Sequence, residues 1–298
     1  MDSSSRRQCP ICGGAAGTHA FPYTTRFNDM TFDYLRCSSC ASVFVDPTPN
    51  ADTFAKMYSK TLYHDTHYLD CNSSRYQSSA KLLSAFLPVG ASVLDYGCGL
   101  GLFMKALLDE GFSATGVDFD QEAADYASQS VGRPAYSVAT FLSRKSAATY
   151  DALHLGDVLE HLPDPASTLR ELLGFVKPGG FLFVEGPLEN NPSPVFWAAW
   201  LFGAVKRRVK PNFIGSSPPT HLLRVDAAQQ MAFFTRLNTG LSRLHWDVHE
   251  TGWPYASRGA LKRAIAHAAA SLGGTEICGV TFGNRFHGLF RLPDTARP

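Results

Sequence analysis

Four of the seven cysteines in this 298-residue chain stand in two Cys-x-x-Cys pairs, Cys9/Cys12 and Cys37/Cys40. Each pair puts two thiolates on one tight knuckle, and two knuckles supply the four soft ligands of a closed tetrahedral zinc site. Such a site has no position open to a substrate, so zinc there would be structural; a redox pair or unliganded thiols are the alternative. A second group lies in residues 92–101, SVLDYGCGLG, where Asp95 precedes three glycines at alternate positions, Gly97, Gly99 and Gly101. Glycines so spaced let backbone approach a ligand closely and adopt positive φ. Asp118 ends the next apolar run, and a carboxylate there can accept hydrogen bonds from both vicinal hydroxyls of a ribose. A third group, of proton-transfer types, comprises Glu160 and His161 in DVLEHLPDP and His221 after two stiffening prolines.

These groups need strands and helices to carry them. Val93 and Leu94 suit a buried parallel strand, and the following LFMKALLDEGF is apolar at helical spacing and stops at Gly111. ATGVDFD is a second strand, QEAADYASQSV a helix, AYSVATFL a third strand with its loop, and YDALHLG a fourth strand in which His154 reads as a core histidine. Asp164 caps a helix with Pro165 at its first position, and the Lys-Pro-Gly-Gly turn at 177–180 leads into FLFVEGP, the fifth strand. Asp226 and Gln229 mark a capping box before another helix; a strand, an Ala-rich helix and a last strand follow. Strands alternating with helices predict an α/β fold with a doubly wound sheet. The glycine spacing differs from Gly-x-Gly-x-x-Gly, which argues against an NAD oxidoreductase.

Residues 95–101 together with Asp118 resemble the nucleotide-binding signature of class I S-adenosylmethionine (SAM) methyltransferases. The resemblance extends through the helix, turn and strand after Asp164. It implies a Rossmann-like seven-stranded sheet whose last strand runs antiparallel, with SAM as cofactor and S-adenosylhomocysteine as product. Gly97, Gly99 and Gly101 would then hold the methionine part and Asp118 the ribose, with Asp95, Phe119 and Asp157 completing the cofactor set. Where many members place an acid for the adenine amino group, this chain has Ala139-Thr140-Phe141. Backbone groups with Phe141 against the ring, or the Thr140 hydroxyl, would replace it. The VLEH segment is also similar to the family's: His161 would remove an acceptor proton with Glu160 orienting it, or the pair ties loop to helix. A similar Pro-x-His turn occurs in related enzymes near the transferred methyl group, which makes His221 the first candidate for general base and a loop tether its alternative.

The expected plan is a zinc-ribbon-like module at residues 1–49, an aromatic flap at 50–75 containing Tyr58, Tyr63, His64, His67 and Tyr68, and a methyltransferase domain at 76–298. Within it, 188–225 would form a substrate lid. Its apolar helix, about 195–210, ends in Lys206, Arg207 and Arg208, so contact with a membrane surface is the competing reading. Lys+Arg 27 against Asp+Glu 26 leaves no broad basic footprint for nucleic acid and favours a small-molecule acceptor. No secretory leader or membrane-length apolar run is present, so a cytoplasmic location is expected. Paired-cysteine modules also occur in front of methyltransferases of sugars and secondary metabolites. The expectation is therefore O-methylation of a sugar, polyketide or similar metabolite, then C-methylation, with a non-catalytic SAM-binding interaction protein as the rival.

Overall fold

Alternating apolar residues in the first fifty positions build an antiparallel meander: β1 (Ala16–Phe27), β2 (Met30–Cys37) and β3 (Val43–Asp46). A computed structural model of the chain describes residues 8–58, 73–144, 150–211, 213–251 and 259–294. Asn50 caps α1 (Ala51–Met57) by accepting the Thr53 N–H at 2.9 Å. The helix seats Met57 and Tyr58 in a small core with Phe32, Tyr34, Val43 and Val45. Of the flap expected at 50–75, residues 50–58 and 73–75 are described; Tyr63, His64, His67 and Tyr68 lie outside the described residues.

Next in the chain come α2 (Ser73–Ser84), β4 (Ser92–Tyr96), α3 (Leu102–Asp109), β5 (Ser113–Asp118), α4 (Gln121–Val131), β6 (Ala135–Ser137), α5 (Val138–Ser143) and β7 (Tyr150–Gly156). A single 3-10 turn at Leu159–His161 precedes α6 (Pro165–Leu173), β8 (Val176–Pro187), α7 (Pro194–Val209), β9 (Leu223–Arg224) and α8 (Ala227–Arg236). The chain then forms β10 (Ser242–His249), α9 (Ala260–Leu272), the short pair β11 (Glu276–Ile277) and β12 (Val280–Thr281), and β13 (Arg285–Arg291). Seven strands make the central sheet in the order β10-β13-β8-β7-β4-β5-β6. β4 to β8 run parallel, and β13 is antiparallel to both its neighbours. This is the expected class I methyltransferase sheet.

Local chemistry explains the main joints. Asp164 accepts the Ser167 N–H at 2.9 Å with Pro165 in the first turn, and Asp226 and Gln229 form the full capping box. One side of α3 buries Phe103, Met104, Ala106 and Leu107, the three larger side chains each worth about 1.5–3 kcal/mol of transfer free energy. Two local expectations change. The 177–180 turn belongs to β8 itself, as an irregularity opposite β7 between Tyr150 and Ala152. Residues after β6 form α5, because Ser137 caps them through its hydroxyl, where a loop was expected.

The N-terminal sheet is not closed within its own segment. Its fourth strand is β9, paired with β3 through Val43 to Arg224 and Phe44 to Leu223. The boundary expected at residue 49 is thus crossed by a strand pair. Cys9, Ile11, Leu35, Cys37 and Phe44 also share a core with Leu159, Leu223 and Val225. No helix among the described residues is long and apolar enough to cross a membrane.

Candidate functional site

The glycine turn joins β4 to α3, with Gly97 at φ 85° and Gly101 at φ 82°. A Cβ on Gly97 would lie 2.3 Å from Val158 Cγ2, and one on Gly101 2.7 Å from Val131 Cγ2. Glycine is therefore required twice over, by conformation and by space. Asp118 is 7% exposed and locks the turn from the next strand, its Oδ2 accepting the Gly99 N–H at 2.8 Å and its Oδ1 the Asp120 N–H at 2.9 Å. An ionised carboxylate has about four acceptor sites, so these bonds are compatible with ribose hydroxyls on the same group. Phe119 is half exposed beside it, edge-on to Phe54 of α1 at 4.9 Å.

Beneath the turn lies a buried polar row. Asp95 Oδ1 is 2.7 Å from His154 Nδ1, and Glu185 stands 3.5 Å from the other ring nitrogen. Burial alone would lower the His154 pKa, but these two carboxylates raise it to about 9. Burial would raise Glu185, but His154 and His287 hold it well below the usual carboxylate range. The core-histidine reading of His154 matches this placement. Asp95 Oδ2 is buried with no hydrogen-bond partner among the described residues, and Asp95 lines a small cavity with Tyr76, Gly97, Cys98, Gly156 and Asp157. An orphaned carboxylate oxygen beside a backbone cradle suits the ammonium end of SAM. Asp157 sits at the strand edge with φ 53°, its Oδ1 2.5 Å from Arg285.

Of the two expected adenine contacts, one stands elsewhere. Phe141 is 7% exposed and packs against Phe175 with ring centroids 4.9 Å apart, so α5 turns its ring into the core. This corrects the expectation of a ring laid on adenine. Thr140 is exposed, and its hydroxyl bonds Ser137 at 2.9 Å.

Glu160, His161 and His221 do come together: one ligand-type atom from each lies within 4.8 Å of the others. The 3-10 turn after β7 supplies the first two. Pro218, Pro219 and the start of β9 position the third. His161 Nδ1 is 2.6 Å from the Thr220 carbonyl, which also accepts the Tyr58 hydroxyl at 2.5 Å. That contact places the proton on Nδ1. Burial, then the neighbouring His221, pulls His161 down to about 3, so its imidazole is neutral. Burial, reinforced by Asp157, pushes Glu160 up to about 7. His221 Nδ1 lies 2.9 Å from Glu189 Oε2, and Arg224 Nε is 3.4 Å from the same oxygen. Burial would lower His221, but the Glu189 carboxylate raises it above its ordinary value. A carboxylate fixing one ring nitrogen leaves the other, Nε2, as the proton-accepting atom.

Sequence reading placed Tyr58 in the flap without a partner and missed Glu189, Arg224 and Arg285. Glu189 is 32 residues from His221 with no local motif, and only the meeting of the β8 exit with the β9 entry pairs them. Next to this pair opens a cavity of about 420 Å³ whose walls include Phe21, Tyr23, Glu189, Phe196, Trp200 and Arg285. α7 lines it with Val195, Phe196, Ala199 and Trp200, while Trp197, Leu201, Phe202 and Val205 are exposed.

The four cysteines fit a zinc ion. Cys9 and Cys40 sulfurs are 3.8 Å apart, those of Cys12 and Cys37 3.5 Å, and all four lie within 4.8 Å. A tetrahedral ion with bonds of about 2.3 Å spaces its sulfurs about 3.8 Å apart. N–H groups of Ile11, Gly14 and Ser39 point at Sγ of Cys9, Cys12 and Cys37 at 3.4 Å each, as thiolate acceptors require.

Comparison with known proteins agrees with this geometry. Over 113 residues the chain is 34% identical to a ubiquinone biosynthesis O-methyltransferase of Vibrio parahaemolyticus, a match covering 36% of this chain and 48% of that protein. The protein of the same description from Sodalis glossinidius is 37% identical over 122 residues, 39% of this chain and 47% of its own. The chain thus spans about half the length of the curated relatives it matches. Among solved structures, a SAM-dependent methyltransferase from Archaeoglobus fulgidus shares the fold, with a TM-score of 0.50 at 16% identity over 77% of this chain and 99% of that one. Residues 67–268 match the family described as "Methyltransferase domain". With that match covering more than half of its length, the chain belongs to the methyltransferase-domain family, with the class I SAM-dependent fold.

Proposed function

We propose that the protein transfers the methyl group of SAM to a hydroxyl oxygen of a small aromatic or polyketide-like metabolite, with a sugar hydroxyl or an activated carbon as the next acceptors. The observation that carries this reading is the Glu189–His221 pair, 2.9 Å apart, whose Glu189 lines a cavity walled by four aromatic rings. Bound SAM supplies an already activated methyl group, so the protein's work is alignment and proton removal. Gly97, Gly99 and Gly101 leave room for the methionine part, Asp95 Oδ2 receives its ammonium, and Asp118 takes the ribose. His221 Nε2 accepts the acceptor's hydroxyl proton, while Glu189 holds the ring and stabilises the resulting imidazolium. His161, neutral and tied to the Thr220 carbonyl, fixes the loop that carries His221. Glu160, its carboxyl pushed up to about 7 by burial, stands beside His161 and His221 and orients them toward the acceptor. Zinc on the four cysteines is structural. α7 walls the cavity as a lid.

The curated relatives are named for O-methylation in ubiquinone biosynthesis, which supports oxygen over carbon. An oriented imidazole beside a cavity favours catalysis over a non-catalytic SAM-binding protein. The test is incubation with methyl-labelled SAM and a panel of phenols, hydroxylated polyketides and sugars. Label on oxygen with wild type, lost in His221→Gln, supports the proposal. Label on carbon would replace it by C-methylation, and SAM binding without transfer to any acceptor would leave the binding-protein reading.

A further inference from the structure

The outer edge of the central sheet carries a cluster that methyl transfer does not use. Asp247 and His249 are two residues apart on β10 and so share one face, and Asp247 pairs in register with His287 on β13. His249 Nδ1 is 3.1 Å from Asp247 Oδ2, and the two imidazole rings are 4.4 Å apart. One ligand-type atom from each of the three residues lies within 4.8 Å of the others.

A second observation points to a metal. His287 turns Nε2 inward, 3.0 Å from Oε2 of Glu185, whose side chain is 1% exposed. A histidine that ligates a metal almost always has its other ring nitrogen held by a carboxylate or carbonyl, which fixes tautomer and orientation. Glu185 is itself held by the Ser79 hydroxyl at 2.7 Å and by His154, so this support is built in. Nδ1 of His287 is then the nitrogen left for a ligand shared with Asp247 and His249. Their side chains are 50% and 30% exposed. Closing the cluster to the ligand spacing of zinc, about 3.4 Å for bonds near 2.1 Å, requires only torsions on this solvent side.

We propose that Asp247, His249 and His287 form a binding site for a late first-row divalent cation, with zinc as its representative, separate from the four-cysteine site. Two imidazoles and one carboxylate suit such ions, and three protein ligands leave a position for water. The ion joins β10 to β13. Through Glu185 and His154 it stands at the outer end of the polar row that ends at Asp95 beside the cofactor cavity.

The test uses the full chain with its cysteine site loaded. Zinc bound at equilibrium dialysis is counted by elemental analysis for wild type and for the single variants Asp247→Asn and His249→Gln, each checked for folding by circular dichroism. Both substitutions lie on the exposed side of the cluster, which keeps the comparison interpretable. Wild type should hold one equivalent more than either variant at micromolar zinc. Cobalt in that extra equivalent should lack the sulfur-to-metal charge-transfer absorption of a thiolate site. Equal stoichiometry in wild type and both variants, or an extra equivalent with thiolate absorption, would overturn the proposal.

Discussion

The cofactor side of the cleft takes nearly all its groups from one short stretch, Asp95 to Asp118, with Asp157 from the next parallel strand. The acceptor side draws Tyr58, Glu160, His161, Glu189 and His221 from four separate segments. In the first, a glycine turn and two backbone-to-carboxylate bonds define the geometry locally. In the second, the same order of precision depends on the N-terminal sheet, because β9 follows His221 directly and is held by β3. A contiguous site should therefore tolerate damage elsewhere in the chain. A composite site should not.

The largest expected effect comes from the cysteine cluster. A structural zinc contributes on the order of 10 kcal/mol to folding of its module. Removing the metal, or the variant Cys37→Ser, should release β1 to β3 and, through β9, the His221 loop. Turnover should fall by more than about 100-fold while SAM affinity changes by less than about 3-fold, since the strand pairing of the module is to β9, next to the His221 loop. Calorimetry with parallel methyl-transfer assays measures both, and an equal loss of the two would break the comparison.

His221→Gln should come next, lowering kcat by about 10²- to 10⁴-fold with SAM affinity preserved. The base must be neutral to act, so kcat/KM should fall as pH drops through the raised His221 pKa. Glu189 is what raises it against burial, so Glu189→Gln should move that midpoint to lower pH. A pH profile that stays in place would remove Glu189 as the orienting group.

On the other side, Asp118→Asn should weaken SAM binding by roughly 10-fold or more, from loss of a charge-assisted bond of about 1.5–3 kcal/mol. At saturating SAM, kcat should be little altered, because the acceptor side is untouched. Smallest of all, Tyr58→Phe removes one hydroxyl from the Thr220 carbonyl, about 1 kcal/mol. It should lower kcat a few-fold and leave SAM affinity unchanged.

Much of the fold is legible in residue order because local physics dictates it. The glycine turn, the caps at Asp164 and Asp226 and the alternation of strands and helices all stand where the pattern places them. Phe141 was misplaced because Ser137, as an N-cap, turns the segment after β6 into a helix, and its apolar ring follows the buried side of that helix. Glu189 carries no local signal, since a lone acid after a strand looks like any solvated residue. Its chemistry appears only when His221 arrives from another segment.

By itself, the sequence determined the groups whose partners are close along the chain: the paired cysteines on each knuckle, the alternate glycines and the acid that ends the following strand. Short separation leaves the backbone few ways to arrange them. Tertiary structure alone decided which knuckles face each other, that β9 completes the N-terminal sheet, that Glu189 meets His221, and that Asp247, His249 and His287 share one sheet edge. Those contacts join residues far apart in the chain, and only the burial of both cores selects them from the many pairings the same residues could make.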